Sequence, residues 1–202
     1  MKLALNRIAL ATALALAAAG AQAADTFVGL TWGQTNNNIQ KSDSLNANLV
    51  PSPALDKVIH KTGTWGLRVG QQDDVGRYYA TYENISDSDS GNKLRQQNLL
   101  GSYDLFLPLG DNNTKLFGGA TLGLVKLEQD SRGFSRDSNI NYAAGLQAGL
   151  LQELNKSASI EAGYRYLRTN VSVDLAEQGG PKLGSVGLHS SGQAYLGANY
   201  KF

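Results

Sequence analysis

Apolar and polar residues alternate with a period of two along the last stretch of the chain, residues 192–202. Every second position counted back from the terminal Phe202 is apolar or aromatic: Tyr200, Ala198, Leu196 and Ala194. The positions between them are mostly polar or glycine. A β-strand with one face in an apolar medium and the other in a polar one has this pattern. An edge strand of a soluble sheet could show it too, so the rest of the chain decides between the two.

Seven further segments repeat the alternation and predict seven more strands. They span residues 26–33, 62–71, 75–85, 94–107, 115–127, 140–150 and 160–167. The register of the fifth segment is ambiguous, because Leu122 and Leu124 favour one outward parity whereas Phe117 and Val125 favour the other. The chain therefore contains eight predicted strands, counting the terminal one.

The connections between these segments alternate in length. Long polar stretches follow the first, third, fifth and seventh segments, and short turns follow the second, fourth and sixth. The longest, 34–61, has room for a short helix at 53–57. Transmembrane barrels have short turns on the inner side and long loops on the outer side, and a closed, even-stranded barrel leaves no unpaired edge in a bilayer. We predict an all-β fold, an eight-stranded antiparallel up-and-down transmembrane barrel over residues 24–202.

The N-terminus reads as a secretory signal peptide. Lys2 and Arg7 precede an apolar run over 8–19, which is shorter than the ~20 residues a spanning helix needs, and Ala21-Gln22-Ala23 matches a small-x-small cleavage site. We expect cleavage before Ala24, with a retained anchor as the alternative. No later segment is long and apolar enough for a spanning helix.

Composition narrows the function further. Residues 1–23 contain two of the 18 basic residues and no acidic ones, so the mature chain has 16 basic against 17 acidic residues. This balance gives no electrostatic case for nucleic-acid binding. Because there is no cysteine, the chain has no disulfide, thiol nucleophile or lipid attachment point.

The alternation also sorts the charged residues. We expect lipid-facing positions to be even in segments three, six, seven and eight and odd in one, two and four. The interior then receives three cations and three anions: Arg68, Arg77, Glu83, Asp104, Glu161 and Arg165. An eight-stranded barrel is just wide enough for its own side chains, so we expect these charges to pair in a filled, structural core. A narrow channel is the alternative.

The chain resembles the small eight-stranded outer-membrane barrels of Gram-negative bacteria, similar to the OmpA barrel domain and OmpX. The resemblance rests on the terminal strand ending in Phe202 and on two further segments, Asn141-Tyr142-Ala143-Ala144-Gly145 and Gly163-Tyr164-Arg165-Tyr166-Leu167. It implies an outer-membrane location. It also implies that Tyr200 and Phe202 form the signal read by the barrel-assembly machinery. Unlike full-length OmpA, the chain is expected to carry no peptidoglycan-binding domain after the barrel.

An enzymatic function would rest on His189 and Ser191, which share a parity and are expected to face inward near the outer end of the last strand. A His-x-Ser pair is similar to that of lipid-A deacylases, and Glu177 is the available carboxylate. A deacylase, however, must reach lipid from outside the barrel. We therefore expect polar rim residues here, and keep a lipid-A-modifying hydrolase as the least favoured alternative.

No metal or cofactor is expected. His60 stands alone in the first loop, and Asp87, Asp89 and Asn92 lack the full calcium-loop spacing, so we interpret them as a solvated loop.

The outer loops leave an interaction role open. The first loop is Asn- and Ser-rich and carries six apolar residues that could dock on the barrel rim, on lipopolysaccharide or on a partner: Leu45, Leu49, Val50, Leu55, Val58 and Ile59. Arg132 and Arg136 could contact lipopolysaccharide phosphates. We predict a non-enzymatic outer-membrane barrel with a structural or surface-interaction role. Envelope integrity and adhesion are both consistent with the sequence.

Overall fold

A computed structural model of the chain describes residues 24–41, 62–89, 92–110, 113–131, 137–176 and 182–202. The predicted signal peptide, the predicted helix at 53–57 and the loop residues His60, Arg132, Arg136 and Glu177 lie outside these ranges. The described part forms eight strands: β1 (Asp25–Lys41), β2 (Thr62–Gln72), β3 (Gly76–Asp89), β4 (Asn92–Leu109), β5 (Thr114–Ser131), β6 (Asp137–Glu153), β7 (Ala158–Ala176) and β8 (Lys182–Lys201).

Each strand pairs antiparallel with its neighbours in the chain, and β1 pairs with β8 to close the barrel. The predicted fold class and strand number are confirmed. The start of β1, the end of β8 and the strand ends that flank the turns after β2, β4 and β6 lie at one rim, the inner rim, and the opposite strand ends lie at the outer rim. No helix among the described residues is long and apolar enough to cross a membrane.

The alternation places apolar side chains on the outer surface. Exposed large residues include Leu30, Trp32, Leu67, Tyr142, Leu146, Tyr166 and Leu196. In β1 the outward positions are even, so the expectation of odd outward positions in the first segment was wrong. Val28, Leu30 and Trp32 face out, and Phe27 and Thr31 are buried inside.

The ambiguity of the fifth segment has a physical cause. Leu116, Leu122 and Leu124 on β5 are exposed, whereas Phe117 and Val125 are buried in the interior. Both faces of this strand therefore carry apolar residues. One face lies on the outer surface of the barrel, and the other packs against an apolar part of the interior.

The strands are longer than predicted, mainly at the outer rim. Instead of a polar loop over 86–92, β3 and β4 continue as a ladder until Asp89 pairs with Asn92. Part of the expected loop over 128–139 likewise belongs to β5 and β6, and part of 34–61 belongs to β1. Part of the sequence expected to form long outer loops therefore belongs to the strands, which extend farther at the outer rim than predicted. Backbone hydrogen bonds carry the ladder through polar sequence, where composition alone predicts a loop.

Side chains and one glycine close the inner turns. Asp73 Oδ1 accepts hydrogen bonds from the backbone N–H groups of Val75 and Gly76, both at 2.8 Å. Asn155 Oδ1 does the same for Ser157 and Ala158 after β6. In the turn after β4, Gly110 has a φ of 67°, which favours a residue without a Cβ atom.

A β-bulge interrupts β8 near the outer rim. Asn38 of β1 pairs with Ser190 and Ile39 pairs with Leu188, so His189 is an extra residue in the ladder. The bulge reverses the parity of the strand on its outer side: Leu188 is buried inside, whereas His189 is exposed.

Candidate functional site: the interior charge network

All six charged residues assigned to the interior are placed there by the structure, and each has an oppositely charged partner. Each of the six side chains is at most 2% exposed in these ion pairs. The strands bring them together from different sides of the barrel wall. With three positive and three negative side chains, the group is electrically balanced: Arg68, Arg77, Arg165, Glu83, Asp104 and Glu161.

Four of these charges form a continuous chain near the inner rim. Glu161 of β7 accepts from Arg68 of β2 and, through Oε2, from Arg77 Nη1 of β3 at 2.5 Å. Arg77 Nε donates to Asp104 Oδ2 of β4 at 2.8 Å. Asn199 of β8 adds a hydrogen bond from Nδ2 to Glu161 Oε2 at 3.1 Å. This cluster therefore ties five strands together across the barrel.

The other two charges form a second pair closer to the outer rim. Arg165 Nη1 of β7 donates to Glu83 Oε1 of β3 at 2.6 Å. Asn98 Nδ2 donates to Glu83 Oε2 at 3.0 Å, and Gln96 and Asn37 continue this polar chain toward the outer rim. The carboxylate of Glu83 is thus supported on both oxygens.

Gln147 of β6 joins the two groups. Its Oε1 accepts from Arg165 Nε at 2.8 Å and from Thr121 Oγ1 at 3.0 Å, and its Nε2 donates to Asp104 Oδ1 at 2.5 Å. The same Nε2 lies 2.6 Å from the hydroxyl oxygen of Tyr79. An amide can do this because it has both an acceptor and a donor end. Nothing in the sequence pattern indicates this bridging position of Gln147.

Aromatic rings cover the arginines, a feature the sequence analysis missed. The Arg68 guanidinium lies 5.0 Å from the ring centre of Tyr79 and 4.7 Å from that of Tyr195. Arg77 lies 4.8 Å from the ring centre of Phe117. Such contacts stabilise cations that have left water. The signal was available for Tyr79, since it shares the inward parity of Arg77 and Glu83 on the same strand.

An apolar cluster lies at the inner end of the network. Phe117, Leu151 and Tyr195 pack together with Phe106 beside them. Gly163 leaves the space for these rings: a Cβ atom there would lie 2.6 Å from Tyr195 Cζ and 3.0 Å from Phe117 Cζ. With the cluster below and the ion pairs above, side chains fill this part of the interior.

The inner mouth carries its own charged group, which the sequence analysis did not predict. Lys115 Nζ and Lys201 Nζ each lie 3.3 Å from Glu153 Oε1. Lys115 is nearly buried and also lies 3.7 Å from Asp74 Oδ1. These contacts link β5, the end of β6 and the C-terminal strand across the mouth.

The terminal aromatics face outward at the inner rim. Tyr200 and Phe202 are 53% and 69% exposed, and their rings are in edge-to-face contact with centroids 5.7 Å apart. The backbone N–H of Phe202 donates to the carbonyl oxygen of Thr26 at 3.0 Å. The last residue is thereby fixed at the β1–β8 closure.

The two residues of the hydrolase hypothesis point to different sides of the wall. Ser191 is 5% exposed inside the barrel, whereas His189 is exposed on the outside. The expectation that both face inward was wrong, because the bulge at His189 changes the parity between them. A serine and a histidine on opposite faces of a sheet cannot form a nucleophile–base pair. Among the described residues, no group of three or more His, Asp or Glu side chains is placed to hold a metal ion.

Comparison with known proteins identifies the family. The chain is 77% identical to outer membrane protein H (OprH) from P. aeruginosa, whose structure was solved in DHPC micelles. The match covers 88% of this chain and 99% of OprH, with a TM-score of 0.57. The chain belongs to the OprH family. No protein-family model matches the sequence, and no curated protein does.

Two solved structures of much lower sequence identity share the fold of this OprH-family chain. Neisserial surface protein A (NspA) is 16% identical, with a TM-score of 0.63 over 90% of this chain and all of NspA. OprG from P. aeruginosa is 14% identical, with a TM-score of 0.65 over 91% of this chain and 98% of OprG. The predicted resemblance to small Gram-negative outer-membrane barrels and the outer-membrane location are confirmed.

Proposed function

We propose that this OprH-family chain is a non-enzymatic outer-membrane barrel with a structural or surface-interaction role, whose interior is closed to ions. The supporting observation is the balanced charge network. Its ion pairs use both oxygens of Glu161 and are bridged by Gln147, with an apolar cluster at the inner end. A wide water-filled pore needs more strands or a surplus of one charge.

Conductance across a planar lipid bilayer tests the closed interior. We expect the purified, folded chain to give no steady unitary current above the bilayer alone. A porin incorporated under the same conditions is the positive control. Reproducible unitary currents whose number rises with protein concentration would contradict a closed interior and support the narrow channel instead.

Lipopolysaccharide is the outer-leaflet partner we propose. Arg168 of β7 is exposed one outward position beyond Tyr166, which places a cation at the expected level of lipid phosphates. Arg132 and Arg136 lie between β5 and β6 in the sequence and were expected to contact the same phosphates. Binding of purified lipopolysaccharide should weaken on Arg168→Ala, and an outward substitution three strands away, Trp65→Leu on β2, should leave it unchanged. Equal binding by all three chains would argue against this partner.

The phenotype of cells lacking the protein distinguishes a role in envelope integrity from adhesion to a surface ligand. An envelope role predicts greater sensitivity to detergents and chelators, restored by the wild-type chain. Normal resistance combined with lost attachment to a surface would instead support adhesion through the outer loops.

For assembly, we propose that the barrel-assembly machinery recognises the C-terminal strand through Tyr200 and Phe202.

A further inference from the structure

A row of outward-facing positions crosses the barrel wall from β8 through β1, β2 and β3 to β4. Each residue of the row pairs with the next across a strand boundary, and the side chains become smaller from one end to the other: Tyr200, Val28, Val69, Ala80 and Gly101. Tyr200 lies at the inner rim, whereas Gly101 lies near the middle of β4. Because the strands of a transmembrane barrel are tilted, a row at right angles to them rises obliquely through the membrane. The row therefore forms a groove that starts at the inner rim and deepens toward the middle of the membrane.

Larger side chains form the two walls of this groove. The wall toward the outer rim is the next paired row: Leu30, Leu67, Tyr82 and Leu99. Gln97 Nε2 donates to the Tyr82 hydroxyl at 2.8 Å, and the Trp65 ring contacts the Tyr82 ring edge-to-face with centroids 6.2 Å apart. On the inner side, Tyr78 follows Ala80 at the next outward position of β3, and its hydroxyl donates to Gln71 Oε1. Contacts within the protein thus fix both walls, which lowers the cost of ordering them around a ligand.

The size of the groove suits a single extended hydrocarbon chain. Its volume is about 640 Å³, and the outward side chains that line it are apolar or aromatic. The row crosses four strand spacings, about 19 Å in all. Since it runs obliquely, it rises by less than one leaflet of the hydrocarbon core, which is about 15 Å thick.

The position of the groove selects the leaflet that supplies this chain. It opens at the inner rim beside Tyr200, whose ring is 53% exposed. Exposed aromatic residues at a barrel rim lie at the level of the lipid headgroups. Phospholipids form the inner leaflet of the outer membrane, whereas Arg168, the cation assigned above to lipopolysaccharide, lies toward the opposite rim.

We propose that this groove binds one acyl chain of an inner-leaflet phospholipid, with the headgroup beside Tyr200 and the methyl end of the chain toward Gly101. The chain covers the small side chains of Val69 and Ala80 and packs against Leu67 and Tyr82. This lipid site is separate from the lipopolysaccharide contacts near the outer rim.

Quenching of a single tryptophan by a brominated phospholipid tests the site. Trp32→Phe and Trp65→Phe remove both native tryptophans. Leu99→Trp then places one reporter on the groove wall, and Leu146→Trp places a control reporter on the outer surface of β6. Each folded chain, verified by heat-dependent gel mobility, is titrated in detergent micelles with phosphatidylethanolamine brominated in the middle of its acyl chains. Bromine quenches tryptophan fluorescence only at short range.

We expect the Leu99→Trp reporter to be quenched about threefold more than the Leu146→Trp reporter, with saturation near one lipid per barrel, because the groove holds the bromines against the first alone. Filling the groove with Ala80→Phe, or with Gly101→Leu at its deep end, should abolish this difference. Ala148→Phe, at an exposed outward position of β6, is the matched control and should preserve it.

Equal quenching of the two reporters would overturn the proposal, because it would indicate lipid distributed evenly around the barrel. An unchanged difference in both groove-filling variants would overturn it as well. Displacement of the brominated phospholipid by lipopolysaccharide would assign the groove to an outer-leaflet lipid instead. Self-association of the chain that excludes the phospholipid would assign it to a second copy of the barrel.

Discussion

Arg77 and Glu161 stand 84 residues apart in the chain, on strands β3 and β7, and their Nη1 and Oε2 atoms lie 2.5 Å apart inside the barrel. Glu161 also binds Arg68, so one carboxylate neutralises two guanidinium groups from neighbouring strands. This carboxylate is the centre of the network. Without it, Arg68 and Arg77 would keep their positive charge in a buried position with one anion fewer.

The substitution Glu161→Gln should be strongly destabilising. It preserves shape but leaves Arg68 and Arg77 without their shared anion, and we expect a loss of about 3–5 kcal/mol in the free energy of unfolding. Urea unfolding in detergent micelles, followed by tryptophan fluorescence, measures it. Glu153→Gln at the part-exposed inner mouth is the matched control and should cost far less. Equal losses for the two variants would contradict the central position of Glu161.

The Arg165–Glu83 pair should show strong energetic coupling. Arg165→Met alone leaves a buried carboxylate unpaired, and Glu83→Leu alone leaves a buried guanidinium unpaired. In the double variant neither charge remains, so its stability loss should be smaller than the sum of the single losses by about 1–3 kcal/mol. A double-mutant cycle of unfolding free energies provides the value. Strict additivity would mean that the two side chains stabilise the barrel independently.

Gly163→Ala should disturb the inner apolar cluster. The added methyl group would lie 2.6 Å from the Tyr195 ring, and such overpacking costs about 1–3 kcal/mol. Gly101→Ala is the control, because the nearest atom to a Cβ there is 3.8 Å away on the exposed face of β4. The midpoint of heat-dependent gel mobility compares the two. A lower midpoint for the Gly101 variant than for the Gly163 variant would refute the packing argument.

Phe202→Ala should reduce assembly in cells more than it reduces stability. Its ring is exposed at the inner rim, so its removal leaves the interior network unchanged. We expect a severalfold lower amount of folded barrel in the outer membrane, with near wild-type unfolding of the purified chain in detergent. Leu196→Ala, an exposed residue of the same strand, is the control. Normal assembly of the Phe202 variant would remove the terminal aromatic from the proposed recognition signal.

The sequence by itself was enough to predict eight strands, the faces of most of them and the barrel class. The reason is local: a residue's face depends only on its position in a period of two, and this information lies within each strand. The same counting assigned all six charges to the interior, where the structure places them. Counting went wrong where another contact changes the period, as at the His189 bulge, or where polar strands continue as a ladder, as at Asp89 and Asn92.

Only the tertiary structure decided which charges meet. Arg68 and Glu161 come together because closure of the barrel brings β2 opposite β7, and the relative height of the two strands depends on the register around the whole ring. The bridging by Gln147 and the row from Tyr200 to Gly101 depend on that same register. The period of each strand determines which side of the barrel wall a residue faces. Its ion-pair partner depends on the register of the seven sequential pairings and of the β1–β8 closure, and no single segment of the sequence encodes these.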